Sequence, residues 1–252
     1  MTPATTPPVR VISDAQLATA AAAGDRVALG AIYHRYAPRL HDYCVTLVRD
    51  HHTAADCVQD VFCIAAADLP KLREPDKLRP WLYAIARRAA LRKLHERRRE
   101  PALDQIPDAA FVGPGPFTLT ARNELARLVV AAAGGLSERD RDVLELAYRR
   151  DLAGPELADA LGVSHDCAKK LLQRLRQTFE RSLGALLVAR RAAQHGCPEL
   201  AVALSDWDGQ FTVLTRKRVA RHIESCSTCD DYRRSLVGSV AMVSSKVIRK
   251  LS

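Results

Sequence analysis

Aromatic residues are scarce in this chain: Phe, Trp and Tyr together make up 5% of its 252 residues, against 48% apolar residues overall. Its buried surfaces must therefore be built mainly from Leu, Ala and Val, which suits helices packed on helices. No stretch shows the sustained alternation of apolar and polar residues that a half-buried strand requires. No apolar run approaches the roughly 20 residues needed to cross a bilayer, so no membrane partner is expected. The Thr- and Pro-rich start, Met1 to Val9, lacks the charged head and apolar middle of a secretion signal. The expected location is cytoplasmic. Also missing are a Gly-rich phosphate loop, a nucleophile–base set and paired acids in a pocket-like context, so no enzymatic activity is expected. Seven cysteines, an odd number, do not make a disulfide framework in a cytosolic chain.

What the chain does have is basic charge. Its 38 Lys and Arg against 29 Asp and Glu leave a net +9, which attracts a polyanion such as nucleic acid. The order of signals along the chain is consistent with an all-α protein of two small helical domains, a flexible linker and a small C-terminal helical module. Residues 1–12 read as a disordered tail and 13–100 as the first domain. There, Ser13 with Gln16 forms a capping-box pattern, and Thr53 with Asp56 repeats it before a helix that Pro70 closes. Pro80 opens a further helix, Trp81 to Arg99. Residues 101–120, with Pro107, Gly113, Pro114, Gly115 and Pro116, read as the linker. A second domain follows over 121–187, then a Cys/His module over 195–234 and a short helix or tail over 235–252, where Leu236, Val240, Val243 and Val247 keep helical spacing.

The second domain carries the sharpest local pattern. Pro155 suits a first helical turn, Gly162 ends that helix, and Ser164 can cap the next, giving helix, turn, helix. Ala168, Leu171, Leu172, Leu175 and Phe179 form one stripe of the following helix. Lys169, Lys170, Gln173, Arg174 and Arg176 face away from it, with Ser164 and His165 at its start. An anchored stripe opposite a basic face is what a recognition helix needs to enter the major groove. The plain alternative is an amphipathic helix with a solvated charged face. Ser137 and Asp140 begin a capped helix whose Val143, Leu144 and Leu146 can roof the motif.

A second basic element lies in the helix Trp81 to Arg99. Leu82, Ile85, Ala86 and Ala89 form its buried face, whereas Arg88, Arg92, His95 and Arg99 line up on another, with Arg87 and Lys93 beside them. Such a row can bind phosphates or exposed bases, or it can simply be solvated.

These residues resemble a family, the RNA polymerase sigma factors of the extracytoplasmic-function type. Tyr33 to Leu40, Asp56 to Phe62 and Trp81 to Arg87 look like its first three conserved stretches in order, and Leu136 to Arg139 and Glu156 to Ser164 are similar to its C-terminal domain. The resemblance makes 13–100 sigma region 2, which binds core polymerase and recognises and melts the −10 element, and 121–187 sigma region 4, which reads the −35 element. It implies core RNA polymerase, through the β′ clamp and β flap, and promoter DNA as partners, and leaves room for a separate anti-sigma protein. It assigns the outward residues Asp56, Gln59, Asp60 and Cys63 to the polymerase clamp, whereas Val58, Val61, Phe62, Ala65 and Leu69 point inward. The sequence departs from the family where many relatives carry Asn and Asp at the positions matching Arg88 and Arg92. Trp81 either supports the −10 site or belongs to the core.

His222, Cys226 and Cys229 are spaced so that offsets of four and seven residues return to one face of a helix. Cys197, 25 residues before His222, completes a Cys3His set suited to tetrahedral zinc, and His195 could substitute for Cys197. Cys197 to Leu200, then Asp208 to Gln210, then the His/Cys group resemble a zinc-binding anti-sigma domain fused behind its target. Such a module could modulate the protein's own activity, be purely structural, or hold no zinc at all. Two other functions remain open on sequence: a helix-turn-helix regulator with a zinc sensor, and a zinc-dependent adaptor.

Overall fold

The computed structural model describes residues 12–99 and 120–236. Every regular element among them is helical, and the chain divides into two compact units, residues 1–100 and 101–252. The tail before Ile12, residues 101–119 of the linker expected over 101–120 and the segment after Leu236 lie outside the described residues, and Thr120 already begins the next helix.

The first unit contains α1 (Asp14–Ala22), α2 (Arg26–Val48), α3 (His51–Asp68) and α4 (Leu78–Arg99). The expected capping box at Ser13 is present: Gln16 N–H donates to Ser13 Oγ at 3.2 Å, and Ser13 N–H donates to Gln16 Oε1 at 3.0 Å. α3 starts earlier than Thr53. Asp50 is its cap, and its carboxylate accepts the Thr53 N–H at 2.7 Å and hydroxyl at 2.6 Å. Those bonds hold the Asp50 carboxyl below the usual carboxylate range. An ionised acceptor three residues ahead of Thr53 thus makes the stronger cap. α4 also begins early, at Leu78, after tight turns at Leu69–Lys71 and Pro75–Lys77. Pro80 falls within its first turn, where a missing N–H breaks no helical bond.

Ile32, Leu40 and Tyr43 of α2, Val61 and Ala65 of α3, and Leu82, Tyr83 and Ala86 of α4 fill the centre of this unit. Tyr43 and Tyr83 meet edge to face at 5.4 Å, a favoured aromatic geometry. Arg35 and Tyr36 of α2 both hold Asp14, fastening α1 to the bundle.

The second unit is built on α5 (Thr120–Gly134), α6 (Glu138–Leu144), α7 (Gly154–Leu161) and α8 (His165–His195), followed by α9 (Pro198–Ala203), α10 (Val213–Ser225) and α11 (Ser227–Ser235). A wide turn of π type, Glu145–Arg149, extends α6. Its Glu145 is 4% exposed and closes on Arg150 at 2.7 Å and Arg149 at 3.3 Å.

α8 runs 31 residues without a break, through the interval 188–194 that was expected to separate the helical domain from the module. It packs on α5, α6 and α7 and also on α9, α10 and α11, with Gly184 and Arg191 of its C-terminal half meeting Arg233 and Tyr232 of α11. The buried stripe continues because Leu183, Leu186 and Ala189 repeat the helical spacing of Leu175 and Phe179. One helix is therefore the spine of both parts.

Candidate functional site

The α7 to α8 turn is the helix-turn-helix the sequence predicts. Gly162 closes α7 with φ 68°, a conformation that favours glycine, and donates its N–H to the Ala158 and Asp159 carbonyls. Ser164 then accepts the Cys167 N–H at 3.3 Å, so its side-chain oxygen is engaged as a cap. Ala168, Leu175 and Phe179 are buried, and Leu171 and Leu172 are half-buried at the edge of the stripe. His165, Lys169, Lys170, Gln173 and Arg174 are exposed. Arg176 has a different role: its Nε donates to the Tyr148 hydroxyl at 3.2 Å, bracing α8 against the wide turn. The two residues are 28 positions apart, a partnership that periodicity cannot reveal.

On the first unit, α3 and α4 bring the predicted polymerase face and the predicted DNA row side by side. Arg92 Nη2 lies 2.7 Å from Asp60 Oδ2, an exposed ion pair joining one residue of each set. Asp56, Gln59 and Cys63 are exposed along α3. Arg88 is exposed and donates from Nε to the Ala84 carbonyl, Lys93 lies 4.0 Å from Glu96, and Arg87 is half-buried. The side chain of Arg99 lies outside the described residues, and Trp81 is half-buried. Phe62, expected in the core, is half-buried and stands 4.7 Å from the Tyr33 ring, itself 47% exposed. The two rings line an open groove of about 690 Å³ between α2 and α3, with Pro38, His41, Gln59 and Cys63 around it. An apolar position at the edge of a helix stripe reads as core in sequence, which is why this groove escaped notice.

The third constellation is the Cys/His cluster. The ligand atoms of Cys197, His222, Cys226 and Cys229 all lie within 4.8 Å of one another. Cys197 Sγ is 3.4 Å from His222 Nε2 and 3.9 Å from Cys226 Sγ. A tetrahedral zinc with bonds of about 2.3 Å to sulfur and 2.0–2.1 Å to nitrogen sets such edges at about 3.8 Å and 3.5 Å. The four residues could hold a metal ion, and the two edges at Cys197 are near those of such a tetrahedron.

The single helical face expected for His222, Cys226 and Cys229 is not how they meet. Cys226 is extended, with φ −120° and ψ 111°, and separates α10 from α11. His222 sits in the last turn of α10, Cys229 in the first turn of α11, and Cys197 caps α9 directly after the end of α8. The thiols differ in character. The Cys229 backbone N–H bonds to Cys226 and lowers its pKa, whereas burial pushes Cys229 up to about 12.

The module is seated on the helix-turn-helix domain through the turn between α5 and α6. A Cβ on Gly134 would collide with the Phe211 carbonyl, and one on Gly135 with Ser182 Oγ and the Phe211 ring. Phe211 is 4% exposed. Arg216 Nε donates to the Gly135 carbonyl at 2.8 Å, Ser182 Oγ donates to the Ala132 carbonyl at 2.7 Å, and Arg191 lies over the Tyr232 ring at 4.0 Å. The Gly134–Gly135 doublet was the one local sign of this close approach.

Comparison with known proteins places these elements. The Sigma-70 region 2 family model matches residues 32–100, the segment from α2 through α4. The chain is 28% identical over 168 residues to "Probable RNA polymerase sigma factor RfaY" of Xanthomonas campestris pv. campestris, covering 65% of this chain and 42% of that protein. It is 30% identical over 169 residues to "ECF RNA polymerase sigma factor SigG" of Mycobacterium tuberculosis, covering 58% of this chain and 46% of that protein. It thus spans less than half the length of these two curated relatives. Among solved structures, CnrH in complex with the cytosolic domain of CnrY aligns with a TM-score of 0.47 at 28% identity, over 66% of this chain and 94% of that one. With region 2 matched across α2 to α4 and relatives named as sigma factors, the chain carries a Sigma-70 region 2 segment and is similar to RNA polymerase sigma factors of the extracytoplasmic-function type.

Proposed function

We propose that the protein is a promoter-directing subunit: it binds core RNA polymerase through the exposed face of α3, reads duplex promoter DNA with α8, and engages the opened −10 strand with the basic row of α4. The observation that carries this reading is the presence in one chain of a region 2 unit and a helix-turn-helix whose Lys169, Lys170 and Arg174 are exposed and free of carboxylate partners among the described residues. Charge left unpaired on a recognition helix is what phosphate and base contacts use. The role is non-enzymatic and belongs in the cytoplasm, where polymerase and chromosome are. No described helix is long and apolar enough to cross a membrane.

The division of labour follows from the two units. Asp60 and Arg92 hold each other, so Arg88 is the freer cation of the α4 row for a nucleic-acid strand. Cys197, His222, Cys226 and Cys229 would hold zinc, which supplies a cross-link among helix ends. The residues around it anchor the module to α8. α11 of the module meets the second half of α8 at Gly184 and Arg191, while Lys169, Lys170, Gln173 and Arg174 in the first half stay exposed. That supports a module built into the DNA-reading unit more than one that masks its recognition face.

The deciding experiment is reconstituted transcription. Purified core polymerase with the full chain is expected to produce discrete run-off transcripts from promoters selected out of a randomised duplex library, and core polymerase alone is not. Failure of folded, metal-loaded protein to yield any selected promoter would reject the reading.

A further inference from the structure

The cations of the second unit fall into two groups. Arg149 and Arg150 close on Glu145, Arg218 on Asp206, and Arg233 and Arg234 on Asp230. Lys170, Arg174, Arg181 and Arg216 have no carboxylate at ion-pair distance among the described residues. Three of these, Lys170, Arg174 and Arg181, recur at intervals of four and seven along α8, so they share one line about 16 Å long.

That line stops where the module begins. Ser182, the next residue, is fully buried and tied to the Ala132 carbonyl. At this point a residue of the module takes over. Gly135 lies against Ser182 Oγ, and its carbonyl accepts Arg216 Nε at 2.8 Å, which brings the Arg216 charge within electrostatic reach of Arg181. The anchoring bond uses Nε alone and leaves both Nη groups for another acceptor. Asp140 is the acid that favours the Arg216 charge, and its carboxylate already accepts the Ser137 hydroxyl. Partial burial and the adjacent Arg181 both disfavour the Arg216 charge. Two like charges held together by backbone geometry form a ready site for an anion, and the anion on a recognition helix is a DNA phosphate.

We infer that Arg216, from the Cys/His module, is a DNA-phosphate contact that continues the line of Lys170, Arg174 and Arg181 beyond the recognition helix, so that the module takes part in DNA binding. The inference rests on the helix-turn-helix reading above. It gives the module a positive role in promoter contact, and the contact is made to backbone phosphate, without base preference.

The test measures the salt dependence of binding. The full-length, zinc-loaded chain is titrated into a fluorescent random-sequence duplex of about 30 base pairs over a series of KCl concentrations, and log K is plotted against log salt. Each phosphate contact contributes about 0.9 to the slope. Arg216→Gln, which keeps an N–H for Gly135 but loses the charge, is expected to lower the slope by about 0.9. Arg216→Lys is expected to keep the slope of the wild type, as is Arg218→Ala, whose charge is already paired with Asp206. A wild-type slope in folded Arg216→Gln, or an equal drop in Arg216→Lys, overturns the inference. A second measurement needs no variant: saturating duplex is expected to protect Arg216 of the wild-type protein from phenylglyoxal, read by mass spectrometry, and equal modification with and without duplex overturns it as well. If the wild-type chain binds no duplex even at the lowest salt, the helix-turn-helix reading itself fails and this inference falls with it.

Discussion

Replacing Phe211 with Ala probes how firmly the module belongs to the helix-turn-helix unit. The Phe211 ring is 4% exposed, rests on Gly135 and meets Trp207 edge to face at 6.5 Å. Truncating a buried Phe costs about 3–5 kcal/mol, depending on how far the surroundings can collapse into the hole. Here they can collapse little. The wall against the ring is Gly135, with no side chain to swing inward, and the turn is pinned by Arg216 on the Gly135 carbonyl and by Ser182 on the neighbouring Ala132 carbonyl. The expected loss is therefore about 4 kcal/mol. For a unit of this size, near 4 °C per kcal/mol, that lowers the midpoint of its thermal transition by about 16 °C. Scanning calorimetry of the full-length chain reads the shift, and hydrogen exchange reads its location. Exchange is expected to rise over residues 132–141 of the helix-turn-helix domain as well as within the module. A midpoint that moves by less than about 4 °C, or exchange confined to the module, would refute a shared core. Gly135→Ala attacks the same seat by overfilling it and is expected to cost about 1–3 kcal/mol.

Two further outcomes are expected. Gly162→Ala should destabilise the second unit by about 1 kcal/mol, because nothing lies within 4 Å of the added Cβ and the whole cost is the left-handed backbone at φ 68°; Gly162→Asn should cost less in the same thermal melt, and equal losses would point to something other than backbone strain. Elemental analysis should find one zinc per chain in the wild type and little in Cys229→Ala, with a lower melting temperature in the variant; equal zinc content in both would remove Cys229 from the ligand set.

The parts of the fold that were legible in the sequence are those whose causes are local. Pro155, Gly162 and Ser164 act within a few residues of themselves, so the helix-turn-helix could be placed from the chain alone, as could the caps at Ser13 and Ser137. Where two local signals competed, sequence could not choose: Thr53 with Asp56 has the right spacing, yet Asp50 lies in reach of the same N–H and takes it. Helical periodicity also cannot register one extended residue, so it brought His222, Cys226 and Cys229 together for the wrong geometric reason. The basic residues were all visible, but their partners were not. Arg92 is neutralised by Asp60, 32 residues away, and Arg176 is engaged by Tyr148. Which cations stay free is a tertiary fact.

The same sorting bears on what the module is for. A module that inhibited by covering the DNA-reading face would lie over the exposed residues at the start of α8, and breaking its ligand set would strengthen duplex binding. In the second unit those residues stay exposed, α11 of the module meets α8 at Gly184 and Arg191, and Phe211 and Arg216 of the module rest on the Gly134–Gly135 turn. Loosening it removes support from α8 and, on the proposal above, withdraws Arg216 from the basic line, so weaker DNA binding is expected. The sign of the change in duplex affinity on going from wild type to Cys229→Ala therefore separates the two roles: weaker binding is expected from a built-in extension, and tighter binding would mean that the module acts as a cover after all.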